Sequence, residues 1–346
     1  MSCVRLAGRS PAPPASARAA LPVPPLASTD PVRRYLPDMS GHVTARERFI
    51  AYRRSLPHPP RLHRQRVAAR GLEFAVFTTP EVAGALPLVC VNGGLLFSHK
   101  LLWPALAPLA QRRQLIFYDQ RGRGESGAPP GAQAARIEHD AGDLAALRVA
   151  LGYRRWDVLG HSWGGGIALL GTEQDQAGVR RLVLVDAVGP RSESWLPHLH
   201  DAALSRLAAP QRAVLQHIDP ATLLTGDPAT HSAYSRAIYP AWFADPELAQ
   251  LFVPPRSESR TGAAVASRLR REGYDWTPLV RAVQTETIVI HGAEDLLPSA
   301  VARELVALLP NGRLSLIPGA GHMPFWEAPE LFFRQVESFL SDSDRV

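Results

Sequence analysis

The chain has one lysine, Lys100, among 38 basic residues. Chemistry built on a lysine Schiff base or a Ser-Lys dyad is therefore not expected. Cysteine is almost as scarce. Cys3 lies in an N-terminal stretch and Cys90 inside a predicted strand, a placement that offers no structural bridge and fits a reducing compartment. No apolar run approaches the roughly 20 residues of a membrane-spanning helix. The best apolar stretch near the N-terminus, Ala19 to Ala27, is broken by prolines, which argues against a secretory signal. Acids are scarce only locally. Residues 1–70 hold thirteen Arg against three Asp or Glu, and the rest of the chain holds 25 basic against 29 acidic residues. The net charge of +6 thus belongs to a basic leader on a mildly acidic body, which argues against a nucleic-acid-binding face.

What is present is organised in three parts. Residues 1–60 are rich in Pro, Ala and Arg, with helical patterning only from Thr44 to Arg54, and read as a largely disordered leader. Its Arg-, Ser- and Ala-rich composition also suits an organellar transit peptide, and a start at Met39 is a further alternative; the expected location is cytoplasmic. Residues 61–189 and 284–346 alternate strand and helix patterns. Arg66–Ala69 and Glu73–Thr78 read as a hairpin turning at Gly71. The apolar runs at Leu88–Val91 and Leu115–Tyr118 have the composition of strands buried on both faces, and Asp157–Leu159, Leu182–Val185, Ile288–Ile290 and Leu314–Ile317 read as further strands. Helices are expected at Leu101–Leu109, from Ile137 to Leu151, over Val301, Leu305 and Leu308, and at the C-terminus, where Phe332, Phe333, Val336, Phe339 and Leu340 share one face. This alternation predicts an α/β fold: a mostly parallel eight-stranded sheet with helices on both faces. Between residues 190 and 283 it stops. That stretch is Pro-rich and aromatic, and is expected to be a helical cap inserted into the core.

Four predicted strands end in reactive residues. In an open parallel sheet ligands bind outside the carboxyl ends of the strands, so the four segments converge on one rim. Gly160-His161-Ser162-Trp163-Gly164 lies between an apolar run and the small-residue stretch Gly165-Gly166-Ile167-Ala168. This is the setting of a nucleophile on a sharp strand-to-helix turn, and Ser162 is the candidate nucleophile. A serine hydroxyl needs a base and an orienting acid. His322, in Gly319-Ala320-Gly321-His322-Met323, is the candidate base. Asp295, in His291-Gly292-Ala293-Glu294-Asp295, is the candidate acid, with Asp186 as its rival and Glu294 as an ordinary loop acid. An oxyanion could be held by the backbone N–H of Trp163 and by that of Gly94 in Asn92-Gly93-Gly94-Leu95, with Leu95 second. His161 reads as a packing residue. His198 and His200 lack the further ligands that a metal site needs, and no G-x-x-x-x-G-K-[ST] phosphate loop is present. No cofactor and no metal are expected.

The order Ser162, Asp295, His322 and the segments Gly160–Gly164, Asp119-Gln-Arg-Gly-Arg-Gly-Glu-Ser126, Gly292–Asp295 and Gly321-His322 resemble the α/β-hydrolase superfamily over about residues 63–340. Tyr118-Asp119-Gln120-Arg121-Gly122 and the Gly93-Gly94 pair look most like the proline iminopeptidase group, which removes an N-terminal proline beneath a helical cap. That group has His-Gly-Gly-Pro-Gly where this chain has Asn92-Gly93-Gly94-Leu95-Leu96, and Gly-Gly-Ser-Trp-Gly where this chain has His161. The Gly-His-Ser-x-Gly-Gly form is common in esterases and C–C bond hydrolases; epoxide hydrolases and haloalkane dehalogenases would carry Asp at position 162. The resemblance implies a serine hydrolase of a small, partly apolar ester or amide or of a short peptide, working through an acyl-enzyme. A small-ligand receptor on the same scaffold is the non-enzyme alternative. An aminopeptidase would need an acid for the substrate ammonium; Glu193, Asp201, Asp245 and Glu247 are the candidates in the cap. The Asp119–Ser126 loop reads as architectural.

Overall fold

A computed structural model describes residues 44–341 apart from 57, 220–221, 223–226 and 256–258. Residues 1–43, with Cys3 and Met39, lie outside the described residues. The described chain begins with the helix Ala45–Ser55. Thr44 caps it, accepting from the Glu47 N–H while the Glu47 carboxylate accepts from the Thr44 N–H, the reciprocal pair that fixes a helix start. This helix packs on the body: Tyr52 is buried, Phe49 meets Trp326 edge to face, and the Arg53 guanidinium lies 4.7 Å over the Trp326 ring.

The sheet has eight strands: β1 (His63–Ala69), β2 (Leu72–Thr78), β3 (Leu88–Val91), β4 (Leu115–Tyr118), β5 (Trp156–His161), β6 (Val179–Val185), β7 (Glu286–Gly292) and β8 (Gly312–Ile317). Their order is β1-β2-β4-β3-β5-β6-β7-β8. Only β1–β2 and β2–β4 pair antiparallel, so the expected mostly parallel sheet is present. The predicted hairpin turns on Arg70 and Gly71, both with positive φ, the two-residue geometry that matches strand twist.

Period-two alternation in the buried strands feeds two cores. Leu88, Cys90, Leu115, Phe117, Val183, Val185 and Ile290 face the C-terminal helix Pro329–Ser341 with its Phe332, Val336 and Phe339. Val89, Val91, Ile116, Val158, Leu182, Leu184 and Val289 face the opposite layer, which contains the helices Ile137–Ala150, Trp163–Gln174 and Ser299–Leu308. One expectation fails. Leu101–Leu109 is not a helix but two 3-10 turns, His99–Leu101 and Ala107–Gln111. Pro104 and Pro108 remove backbone donors and clash with the preceding turn, which outweighs the leucine periodicity.

Residues 190–283 contain the helices Leu199–Arg206, Ala209–Gln216, Pro228–Ile238, Pro246–Ala249, Arg260–Glu272 and Thr277–Ala282. Among the described residues their strand content is a single bridge, Arg191 to Asp275. The Asp119–Ser126 loop is held by its own charges. Arg123 is fully buried, donates to both Asp140 oxygens at 2.8 and 3.1 Å and to the Leu95 carbonyl at 2.7 Å. Arg121 pairs with Asp143, and Gln120 donates to the Asn92 carbonyl at 2.8 Å. The loop thus fixes the segment that follows β3.

Candidate active site

Ser162 sits between β5 and the helix Trp163–Gln174 with φ 55° and ψ −124°, a strained conformation for a residue with a side chain. Three glycines make the turn possible. A Cβ on Gly164 would lie 2.2 Å from the Val91 carbonyl oxygen, one on Gly160 2.3 Å from the Gly164 oxygen, and one on Gly93 2.6 Å from the Ser162 Cβ. Trp163 is the first helical residue, so its N–H has no intrahelical acceptor. The Gly94 N–H also has no acceptor among the described residues. Gly94, with φ 77°, and Trp163 both line the cavity that holds Ser162.

His322 follows β8 and lines the same cavity. Its Nδ1 lies 2.9 Å from Asp295 Oδ2 and 3.1 Å from Oδ1. Burial pushes the Asp295 carboxyl up, but the charge and hydrogen bond of His322, joined by His291 and the Leu297 N–H, outweigh this, and the group ends below the ordinary carboxylate value. Glu294 is exposed while Asp295 is buried. No hydrogen bond joins Ser162 to His322 among the described contacts; hydrogen bonds between reacting groups are often long in sites that hold no substrate.

Asp186, the rival acid, is brought close to this pair but bonds elsewhere. It ends β6, and its Oδ1 accepts from the Gly292 N–H at 2.7 Å. Burial, then the Asp295 charge, raise its carboxyl well above the ordinary value, the opposite direction from Asp295. Beside it His291 donates from Nε2 to the Leu297 carbonyl at 2.9 Å and turns Nδ1 toward Asp186 Oδ1 at 3.5 Å. Asp186, His291 and Asp295 bring one donor atom each within 4.8 Å of the others. They are the group among the described residues that could approach a cation together, although Asp295 is committed to His322. His198 and His200 are exposed and belong to no such group.

His161 is buried and supports His322. Its Nε2–H donates to the His322 carbonyl at 2.9 Å, and burial, then His322, push its imidazole down to about 3. Three further supports escaped the sequence. Trp242 of the cap accepts the His322 N–H on its carbonyl at 2.7 Å, and its ring stacks obliquely on the imidazole at 4.4 Å. Arg206, also of the cap, donates to the Glu294 and Asp295 carbonyls, both at 2.9 Å. Glu327 accepts the N–H groups of Ala244 at 2.7 Å, Gly321 at 2.9 Å and Met323 at 3.3 Å, clamping the cap to the His322 loop. Only Pro324, a helix starter, hinted at a turn returning Glu327 to that loop.

Burial drives the Glu327 carboxyl up to about 8; the Ala244, Met323 and Gly321 donors oppose this and the Asp295 charge adds to it. An unfolded glutamate titrates near about 4.3, so folding binds a proton between the two values. Its contribution to stability is complete below about pH 4 and is lost as pH rises through 8. Glu327→Gln cannot titrate, so its melting temperature is expected to fall less steeply between pH 5 and 8 than that of the wild type. Thermal unfolding across that range checks this; parallel slopes would mean that Glu327 does not titrate there.

The cavity has a volume of about 240 Å³. Its walls include Leu95, Phe97, Trp195, Ile238 and Tyr239, with Arg270 the one fully charged side chain among the described lining residues. Glu193, Asp201, Asp245 and Glu247 do not line it. Asp245 instead caps the helix Pro246–Ala249, and Glu193 lies near Arg191 on the surface. No helix among the described residues is long and apolar enough to cross a membrane.

Comparison with known proteins agrees with this architecture. The family model for the alpha/beta hydrolase fold matches residues 87–329. A 2-hydroxymuconate semialdehyde hydrolase from Pseudomonas putida is 32% identical over 242 residues, covering 68% of this chain and 80% of that protein. A proline iminopeptidase from Lactiplantibacillus plantarum is 27% identical over 272 residues, covering 75% and 93%. Among solved structures, an esterase from Exiguobacterium antarcticum superposes with a TM-score of 0.63 at 19% identity, covering 80% of this chain and 99% of that one; at that identity the likeness concerns the fold alone. With the matched model spanning most of the chain, from β3 to the start of the last helix, this protein belongs to the α/β-hydrolase fold family.

Proposed function

We propose that this protein is a serine hydrolase that cleaves an ester of a small, partly apolar acid through an acyl-enzyme. Ser162 Oγ attacks the acyl carbon while Nε2 of His322 takes its proton. Asp295 accepts from His322 Nδ1–H, fixes the tautomer and stabilises the imidazolium. The N–H groups of Gly94 and Trp163 receive the oxyanion. The imidazolium returns its proton to the leaving alcohol. Water, deprotonated by His322, then attacks the acyl carbon, and the acid departs as Ser162 recovers its proton. The observation that carries this reading is a single cavity lined by both a serine on a strained turn and a histidine whose Nδ1 is committed to a buried carboxylate.

An ester is favoured over an N-terminal proline peptide because no described lining residue is acidic, so a substrate ammonium would find no counter-ion. C–C bond cleavage is the second reading, favoured by the His161-bearing elbow and by the Pseudomonas relative. A parallel assay of a short-chain nitrophenyl ester and prolyl-nitroanilide tests the assignment. The ester is expected to show a kcat/KM at least about 100-fold higher, equivalent to the roughly 3 kcal/mol or more that burying an unpaired charged group costs. The opposite preference would make the protein an aminopeptidase. Stoichiometric fluorophosphonate labelling with no turnover of either would fit a ligand receptor.

A further inference from the structure

We propose that the cavity takes an acyl group bearing a carboxylate several bonds from the scissile carbonyl, and that Arg270 receives that carboxylate. This rests on reading Ser162 as the nucleophile, since that fixes where the scissile carbonyl lies.

Two cap helices wall the cavity, each with one face. Arg260–Glu272 presents Ala263, Ala266, Ser267 and Arg270; Pro228–Ile238 presents His231, Tyr234, Ser235 and Ile238. Both sets follow the i, i+3, i+4, i+7 spacing of a single helical stripe. The first helix starts against the oxyanion loop, because a Cβ on Gly262 would lie 2.2 Å from the Leu95 carbonyl oxygen. Its small residues keep that end of the cavity open. Arg270 lies eight positions beyond Gly262, or about 12 Å along the axis at 1.5 Å per residue, and helical side chains lean back toward the N-terminus. Arg270 is exposed and so marks the outer end of this stripe, and a carboxylate that reaches it must stand several methylenes from the acyl carbon.

The charge of Arg270 is available to a ligand. Its neighbours Arg268 and Arg271 both pair with Glu272, while Arg270 has no ion-pair or hydrogen-bond partner among the described residues, and no Asp or Glu is among the described residues that share the cavity wall. A planar guanidinium matches a carboxylate through two parallel hydrogen bonds. The same wall repels an ammonium. The substrate class is therefore the mono-ester of a medium-chain dicarboxylic acid, with the apolar walls around the methylenes and the free acid at the cap.

The test uses the full chain with mono-nitrophenyl succinate, adipate and suberate, each paired with the analogue whose far carboxylate is methylated. The wild type is expected to prefer the free acid by at least fivefold in kcat/KM, with the optimum at adipate or suberate. Arg270→Gln is expected to cut that ratio at least fivefold, and Arg270→Lys to keep most of it. Equal ratios in wild type and Arg270→Gln, or a preference independent of chain length, overturn the proposal and leave the esterase reading intact. If even the methylated esters are not turned over, the esterase reading fails. Calorimetric binding of monomethyl adipate to the wild type and to Arg270→Gln then decides the subsite: at least fivefold weaker binding in Arg270→Gln supports it, and equal binding overturns it.

Discussion

Ser162→Ala is expected to abolish ester turnover, lowering kcat on the order of 10⁵- to 10⁶-fold, as removal of the nucleophile does in serine hydrolases that act through a triad. The loss is chemical rather than structural. The strain at Ser162 lies in a φ of 55° that alanine shares, and the turn is set by Gly160, Gly164 and Gly93 pressing on neighbouring backbone. Thermal unfolding should therefore change little while fluorophosphonate labelling disappears. A variant that kept its activity on an activated ester would show that the reacting group lies elsewhere. A variant that lost activity together with its fold would assign Ser162 to the architecture.

Arg123→Ala is expected to be the most destabilising single change away from the candidate site. The guanidinium and its partner Asp140 are both fully buried. Even with Arg123 beside it, burial holds the Asp140 carboxyl up at about 6. Removing the cation leaves a carboxylate in the interior without its counter-charge, a change that costs about 3–5 kcal/mol. In a body of this size that corresponds to a fall of roughly 5–8 °C in melting temperature. The Leu95 carbonyl also loses its donor, so the Asn92–Leu95 loop is expected to loosen and, on the proposed function, kcat of the folded fraction to drop. The double replacement Arg123→Met with Asp140→Leu separates charge from packing. It is expected to recover most of the stability, because two apolar side chains of similar size avoid the desolvation cost. Equal losses in the single and double variants would place the cost in packing instead.

How much of this was legible depended on how local each signal was. Leu88–Val91 and Leu115–Tyr118 announced buried strands because a parallel strand covered on both faces must be apolar at every position. Gly160–Gly164 announced a turn because only glycines fit where backbone meets backbone. Leu101–Leu109 misled, since leucine spacing is read over a window while each proline acts at one peptide. The choice between Asp186 and Asp295 could not be made from strand ends alone, since both follow a strand. It depends on which carboxylate meets an imidazole 27 residues further on, and the buried rim drives the other toward its neutral form.

By itself, the amino-acid order determined the layered sheet, the strand-end position of every candidate reactive residue and the helical character of the insertion. These follow from periodicity and from backbone sterics within a few residues. Only the tertiary structure decided that Glu327 and Arg206 tie the cap to the histidine and acid loops, that Trp242 covers His322, and that the cavity wall carries a cation and no described anion. Those pairings are made when distant segments close over one another. They are set by desolvation and hydrogen-bond geometry at the point of contact, which no local pattern encodes.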